Sequence, residues 1–455
     1  MTQIAQTQPL PMTEPRAARP TVRFIDEYCD SYKSLFPEVR SFEAFKQLHV
    51  GLVSDIKRKT LPNIAQVVGR ENSQSLHHFI TASPWEAKEL RERRLELILK
   101  ALNGQEIMVI IDETGDRKKG KKTDYVSRQY IGNLGKVENG IVAVTAYGVI
   151  AGMTVMLAFE VYKPKSRLKK GDSEYSKPQL AAQMLRDLKN RGFKFSLVLA
   201  DSLYGESQSN FLDSLEELEL EYVVAIRSNH GVWMPSHQRI RYNKWRKFDR
   251  IFIDGKKQVR YIREVIYGKR RERQYWEITT NPETLPKNET WSVMTKIAGV
   301  KYHQVGNLYG LRNWVEYGLK QSKNELGWAD FRLTNYTDIE KWWELVASAY
   351  LLVSLHSSAL PTSHKPLNHI STTGLGLLLA EHHQWDFKTG WKNLLNNLRL
   401  IIQPFVAFNL ITFWLKIFPI PELVVGFNRL IAFMNRFPGA IPTAQHQTDF
   451  HFSSA

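Results

Sequence analysis

The sequence predicts a mixed α/β protein: a sheet-bearing core with a β-rich insertion, flanked by helical regions at both ends. Three observations lead there. Apolar residues recur three and four apart between Phe24 and Leu102, the spacing of amphipathic helices. Short β-branched runs then alternate with helix-length stretches from Glu106 to Asn229. From Trp233 to Ala298 the pattern alternates residue by residue, as antiparallel strands do, before helical spacing returns.

The first region contains TLPNIAQVVGRENSQSLHHFITAS (Thr60–Ser83), which reads as helix, glycine turn, helix, with Asn72 and Ser73 as N-caps. A helix-turn-helix would send its second helix, roughly Ser73 to Ile80, into the DNA major groove. Any helical hairpin has the same outline, so both readings stand. His77 and His78 lack a partner at metal-ligand spacing and read as surface residues.

EIMVIIDET (Glu106–Thr114) is a buried strand ending in an acid. GIVAVTAYGVIAG (Gly140–Gly152) and TVMLAFEVY (Thr154–Tyr162) are two more strands, joined by a tight turn at Ala151 to Met153. A helix follows from about Lys177 to Arg191. FSLVLADSLYG (Phe195–Gly205) is a strand that again ends in an acid, followed by a helix over Glu206–Leu218 and a strand over Glu221–Asn229. The insertion carries hairpin signals at Asp254-Gly255 and near Gly268. Helices close the chain: YGLRNWVEYGLKQSK, then Lys341–Leu355, then a section from Thr373 to Phe437.

At 455 residues, 43% hydrophobic and 24% charged, the chain can bury a core without a metal or disulfide staple. Cys29 is the sole cysteine, which excludes an intramolecular disulfide and fits a reducing compartment. The first 22 residues are polar and lack the apolar run of a secretory signal. Leu398 to Phe427 is apolar but interrupted by Gln403, Pro404, Asn409, Lys416, Pro419, Pro421 and Glu422, which favours packed helices over a membrane span.

Lys and Arg number 62 against 46 Asp and Glu, a net charge of +16. The excess is concentrated: Ser236–Tyr275 holds 14 basic and four acidic residues. DRKKGKK (Asp116–Lys122) and KPKSRLKK (Lys163–Lys170) add two basic loops. Clustering of this kind marks a polyanion partner, and nucleic acid is the first candidate.

Three strands, helix, strand, helix, strand, insertion, helix is the order of the ribonuclease-H-like fold. It places Asp112 and Asp201 at the carboxyl edges of neighbouring strands, although 89 positions separate them (201 − 112). In YGLRNWVEYGLKQSK, Tyr309, Arg312, Glu316, Lys320 and Lys323 fall within about 80° of one another on a regular helix. Such a face is either a salt-bridged surface, with Arg312 and Lys320 flanking Glu316 at i−4 and i+4, or one side of a site. In the second case Glu316 completes a carboxylate cluster that needs a hard cation; Mg²⁺ takes octahedral oxygen ligands. Two such ions about 3.5–4 Å apart serve phosphodiester cleavage. Strand alternation favours Asp112 over Glu113 as the ligand; a one-residue shift would exchange them. Asp116 and Glu206 read as capping or loop residues.

With these residues the chain resembles the DDE transposases of bacterial insertion sequences, in the branch with a Y-R-E-K signature. Tyr309, Arg312, Glu316 and Lys323 meet every spacing of that signature, and Asp201-Ser-Leu-Tyr204-Gly205 matches its second-aspartate region. IDETGDRKKGKK followed by SRQYIGNLGKVENG resembles the first-aspartate region of one family in the branch. The resemblance covers roughly residues 105 to 355.

It implies a cytoplasmic, nucleoid-associated bacterial enzyme for cut-and-paste transposition. Asp112, Asp201 and Glu316 would be catalytic and hold two Mg²⁺ ions, with Mn²⁺ as a substitute. Double-stranded DNA, as terminal inverted repeats and target, would meet Tyr309, Arg312, Lys320, Lys323, Lys118, Lys119, Lys121, Lys122 and Tyr204. The 115-residue interval from Asp201 to Glu316 (316 − 201) suits a relative that frees flanking DNA through a hairpin. Trp233 would then stack on a flipped base, or pack as a core aromatic; Trp245, Trp276 and Trp291 read as packing residues. A homodimer with no membrane association would bridge two transposon ends, with the apolar C-terminal helices as its surface or as a layer on the core. Two other readings stay open: a catalytically silent DNA-binding protein, and another ribonuclease-H-like nuclease. The expected divisions are a disordered tail (1–22), a helical DNA-binding domain (23–104), the core in two parts (105–230 and 306–360), the β-rich insertion (231–305) and a C-terminal helical region (361–455).

Overall fold

The computed structural model describes residues 16–358, except 151–152 and 253–254, together with 379, 381–388 and 390–437. Five helices come first: α1 (Arg23–Asp30), α2 (Val39–Val53), α3 (Leu61–Val67), α4 (Gln74–Thr81) and α5 (Ala87–Leu102). Part of the expected tail is packed. Val22 is buried, and Arg16 grips Glu43 through two hydrogen bonds of 2.6 and 2.8 Å. α3 and α4 stand where the helical hairpin was expected, and Asn72 accepts from the Gln74 amide at 3.0 Å to open the second helix.

The sheet has 11 strands: β1 (Ile107–Arg117), β2 (Ser127–Ile131), β3 (Lys136–Ile150), β4 (Met153–Val161), β5 (Phe195–Ala200), β6 (Tyr222–Ile226), β7 (Ile240–Tyr242), β8 (Arg246–Ile251), β9 (Lys257–Tyr267), β10 (Gln274–Thr279) and β11 (Thr290–Thr295). Its order is β2-β3-β1-β5-β6-β11-β10-β9-β7, with β4 also on β3 and β8 also on β9. β1 runs antiparallel to β3 and parallel to β5; β5 runs parallel to β6. The centre of β1 and all of β6 are buried apolar runs, as strands covered on both faces require. The insertion is not a separate sheet. β11 pairs antiparallel with β6, so it extends the central one.

Several elements differ from expectation. β1 continues to Arg117 because residues 112–117 keep pairing with β3 after leaving β5 at Ile111. β2 is an added strand, and β3 starts at Lys136, four residues early. In the expected turn at Ala151–Met153, residues 151 and 152 lie outside the described residues, as does Asp254 of the Asp254-Gly255 signal. Gly268 does turn, at φ 70°.

α6 (Lys177–Asn190) opens on a capping box, in which Ser176 and Gln179 exchange side-chain and backbone hydrogen bonds. The short α7 (Ser202–Gly205) precedes the helix expected over Glu206–Leu218, which is broken into a π turn (Gln208–Leu212) and α8 (Asp213–Glu217). YGLRNWVEYGLKQSK is divided between α9 (Tyr302–Gly310) and α10 (Asn313–Asn324). Across the joint, the amides of Leu311, Arg312, Trp314 and Val315 each bond three residues back, a 3₁₀-type tightening.

α11 (Tyr336–Leu355) is buried from Ile339 to Val353 except at Glu340. α12 (Trp391–Ile417) and α13 (Pro421–Met434) follow. Among the described residues α12 is the one helix long and apolar enough to cross a membrane. Its first half is packed, however, and Arg399 there pairs with Glu325 at 3.0 Å. Beyond Ile402 neither α12 nor α13 buries a residue, so the expected packing stops halfway. One hydrophobic core runs from Val22 through the sheet to Phe437.

Candidate active site

The register sets the first two acids side by side. Ile111 of β1 pairs with Ala200 of β5, so Asp112 and Asp201 are the next residues of two parallel neighbours. Asp201 turns into α7, where its Oδ1 accepts from the Leu203 amide at 2.9 Å. Oδ1 of Asp112 accepts from the Glu113 amide at 2.8 Å, and the Thr145 hydroxyl donates to the Asp112 carbonyl at 3.0 Å. The remaining oxygens share one cation: Nη2 of Arg312 lies 3.3 Å from Oδ2 of Asp112 and 3.9 Å from Oδ2 of Asp201. The tight turn between α9 and α10 brings this arginine over the strand ends.

Burial pushes the Asp112 carboxyl up to about 6; Arg312 opposes that rise and Asp201 adds to it. Burial works against the Arg312 charge, but Asp112, Tyr309 and Asp201 outweigh it and raise its pKa. The Tyr309 hydroxyl is raised by burial, with Arg312 pulling the other way. Glu113 points to the opposite face of the sheet, where Lys177 at the start of α6 meets it at 2.5 Å.

Glu316 is not drawn into this pair. It is exposed on α10 and makes no hydrogen bond or ion pair among the described residues, though its charge is felt at Arg312. Among the described residues no group of three or more acids, histidines or cysteines lies close enough to hold a metal ion. The donor chemistry nevertheless suits a hard cation. Two carboxylates already converge on one positive charge, and an unpaired acid stands one helical turn beyond Arg312.

The other residues expected at the site are spread over several surroundings. Lys323 is committed to β1, 2.9 Å from Asp116 and 2.8 Å from the Gly115 carbonyl. Asp116 is therefore a buried strand residue rather than a loop residue. Glu206 does serve a loop, accepting from the Arg227 amide at 2.7 Å. Lys320, Lys119, Lys121 and Lys122 are exposed, while Lys118 lies 3.6 Å from the centre of the Phe331 ring.

Tyr204 is fully buried against Phe211, which removes it from the surface a DNA contact needs. Burial, then Glu113, Asp112 and Asp201, push its hydroxyl well up. Trp233 is 92% exposed, which rules out a core role in this conformation. Trp276 is buried as expected; Trp291 is half-buried and packs on the core, while Trp245 is half-buried and stacks with Arg263. Sequence reasoning missed Lys177, Thr145 and Arg250, whose Nη2 donates to the Gly310 carbonyl at 3.4 Å. Nothing in their local sequence marks them.

Gly318 explains how α10 reaches the sheet. A Cβ there would sit 2.6 Å from the Tyr147 ring, and Tyr147 is itself bonded to Ser322 at 2.8 Å. Only a bare backbone lets the helix carrying Glu316 lie this close to β3.

Paired carboxylates at strand ends with a basic helix against them are the arrangement of a DDE-type nuclease. Residues 34–258 match the family described as DDE superfamily endonuclease, a span that includes Asp112 and Asp201. The chain is also 64% identical over 329 residues to "Probable transposase for insertion sequence element IS701" from Microchaete diplosiphon, an alignment covering 72% of this chain and 87% of that protein. The chain belongs to the DDE superfamily, among its insertion-sequence transposases.

Proposed function

We propose that this chain is a DNA transposase that excises an insertion sequence and joins it to target DNA by cut-and-paste chemistry on a ribonuclease-H-like core. The observation that carries the reading is the convergence of Asp112 and Asp201 on Arg312, beside the helix of Glu316. The strand order β4-β3-β1-β5-β6, with β5 and β6 parallel to β1, supports the core assignment. The division into helical, core, insertion and C-terminal regions is part of the same proposal.

Asp112, Asp201 and Glu316 would hold two Mg²⁺ ions, or Mn²⁺. Bound there, the ions would supply Lewis-acid activation of water and stabilisation of the leaving oxygen. Arg312, released from the carboxylates, takes a DNA phosphate through its fork of donors. Tyr309 lines the same approach, and Lys320 with the Lys119–Lys122 loop guides the backbone in. Tyr204, buried against Phe211 and within the electrostatic reach of Asp112 and Asp201, takes no part in DNA contact. Trp233, free in solvent, receives an unstacked base while flanking DNA leaves through a hairpin. The exposed apolar surface of α12 and α13 fits a homodimer bridging two ends. Action on DNA in the cytoplasm follows from the same reading.

A DNA-binding relative without cleavage is the second reading, favoured by one observation: Glu316 stands apart while Arg312 fills the gap between the aspartates. Incubating a labelled duplex bearing the element's own end with Mg²⁺, wild type against Asp201→Asn, separates the two. Release of a 3′-hydroxyl by wild type alone supports the transposase; specific binding with no strand release by wild type supports the silent binder.

A further inference from the structure

The β-rich insertion holds a cavity of about 330 Å³ at the start of α9, away from the carboxylates. Its lining is dominated by hydrogen-bond donors. Lys244, Arg246 and Lys301 are exposed there, and none of them has a carboxylate partner among the described residues. The one acid in the lining, Glu264, is already paired with Arg270 at 2.9 and 3.1 Å and accepts a hydrogen bond from Asn243 at 2.7 Å. Trp276 also lines the cavity. It is only 9% exposed, and its indole N–H is buried without an acceptor. A buried donor left unpaired costs free energy unless a ligand supplies the acceptor.

The α9 N-terminus adds to this field, since its free amides and dipole favour an anion. Three cations without a carboxylate partner among the described residues, Arg246 among them stacked on the Tyr302 ring at 5.1 Å, a helix N-terminus and an orphan N–H call for an oxyanion. Seven of its lining residues, Asn243 to Arg270, belong to the segment Ser236–Tyr275, which holds 14 basic residues against four acidic ones, so a polyanion is the occupant the charge favours. α9 then leads directly to the site: the eight residues from Lys301 to Tyr309, at 1.5 Å each, span roughly 12 Å, and Arg312 follows just past the end of the helix.

We propose that this pocket binds a phosphate of the transposon-end DNA a few nucleotides from the cut, and so fixes which bond reaches Asp112 and Asp201. The inference rests on the transposase reading and adds a register-setting contact to it.

The test is a binding series on end duplexes in which single phosphates are replaced by uncharged methylphosphonates. Wild type is compared with Lys244→Ala/Arg246→Ala, whose side chains are exposed, and with Trp276→Phe, which keeps an aromatic ring and removes the N–H. Wild type should lose about tenfold in affinity at one position a few nucleotides from the cut, the scale of a charge-assisted hydrogen bond. The double variant should be weaker on every duplex that keeps this phosphate, lose about one from its salt slope, and be indifferent to that one methylphosphonate.

Variants that bind all duplexes as wild type does, or that lose equally at every position, would overturn the inference and leave the transposase reading standing. Equilibrium dialysis with a deoxynucleoside monophosphate gives a further arm. A free nucleotide that fills the pocket without displacing duplex would also overturn the DNA assignment. A wild-type protein that binds no end DNA would overturn both.

Discussion

Replacing Arg312 by methionine keeps the aliphatic stem and removes the charge that Asp112 and Asp201 share. The guanidinium lies 3.3 and 3.9 Å from their oxygens. At an effective dielectric of about 20 these separations correspond to roughly 5 and 4 kcal/mol of gross attraction. Desolvation cancels much of that, yet removing one partner from a buried pair still costs about 3–5 kcal/mol. Asp201 is nearly a third exposed, so its share is discounted. The net expectation for the metal-free protein is a loss of about 2–4 kcal/mol.

Urea unfolding at pH 7.5 in chelator measures the loss, and a Mg²⁺ titration measures its recovery. Added Mg²⁺ should stabilise Arg312→Met more than wild type, because a divalent ion binding the folded state replaces the missing charge. In an Asp112→Asn/Asp201→Asn background the same substitution should cost almost nothing, since the two sides of the pair act as one unit. An Arg312→Met protein as stable as wild type in chelator would refute the reasoning, as would an equal loss in the double-Asn background.

Gly318→Ala should cost about 1–3 kcal/mol through overpacking against Tyr147, and should reduce strand cleavage further by moving the helix of Arg312 and Glu316; denaturation and cleavage assays on the same preparation check both. His49 and His356 are fully buried and pushed down to about 4 by burial, against an ordinary 6.5. As pH falls below 6.5 the unfolded chain binds protons that the folded chain refuses, so stability present above 6.5 drains away towards pH 4. Between pH 7 and 5 the His49→Gln variant should lose about 2 kcal/mol less than wild type in urea titrations; equal losses would contradict the assignment. Trp233→Ala should leave the unfolding midpoint unchanged, because the ring is exposed, while slowing hairpin release of flanking DNA about tenfold and sparing the first nick. Trp414→Glu on exposed α12 should convert the sedimenting DNA complex from two chains to one.

The parts of this fold legible in the sequence were those with a local signal. Asp112 and Asp201 stood out because each follows a short apolar run, β-branched in IMVII and leucine- and valine-bearing in FSLVLA, of the length a buried strand needs. β2 gave no such signal: it is an edge strand with Arg128 and Tyr130 in solvent, so its pairing with β3 depends on backbone rather than on an apolar face. The joint at Leu311 and Arg312 was hidden because helical periodicity passes unbroken through a short 3₁₀ turn. That joint nevertheless decides the site, since it parts Arg312 from Glu316. Lys177 and Lys323 found Glu113 and Asp116 through tertiary contact alone. α12 and α13 misled in the other direction: rich in apolar residues, they read as packed, yet the second half of α12 and the whole of α13 bury no residue.

The central claim is that Glu316 works with Asp112 and Asp201 on one DNA strand, although it stands apart from them in this structure. The direct test is cleavage of a labelled transposon-end duplex in Mg²⁺ by wild type and by Glu316→Ala, with end binding followed in parallel. The account predicts that the variant binds the end normally and releases no 3′-hydroxyl. Cleavage at the wild-type rate by Glu316→Ala would contradict it and reduce the site to the two aspartates that Arg312 bridges.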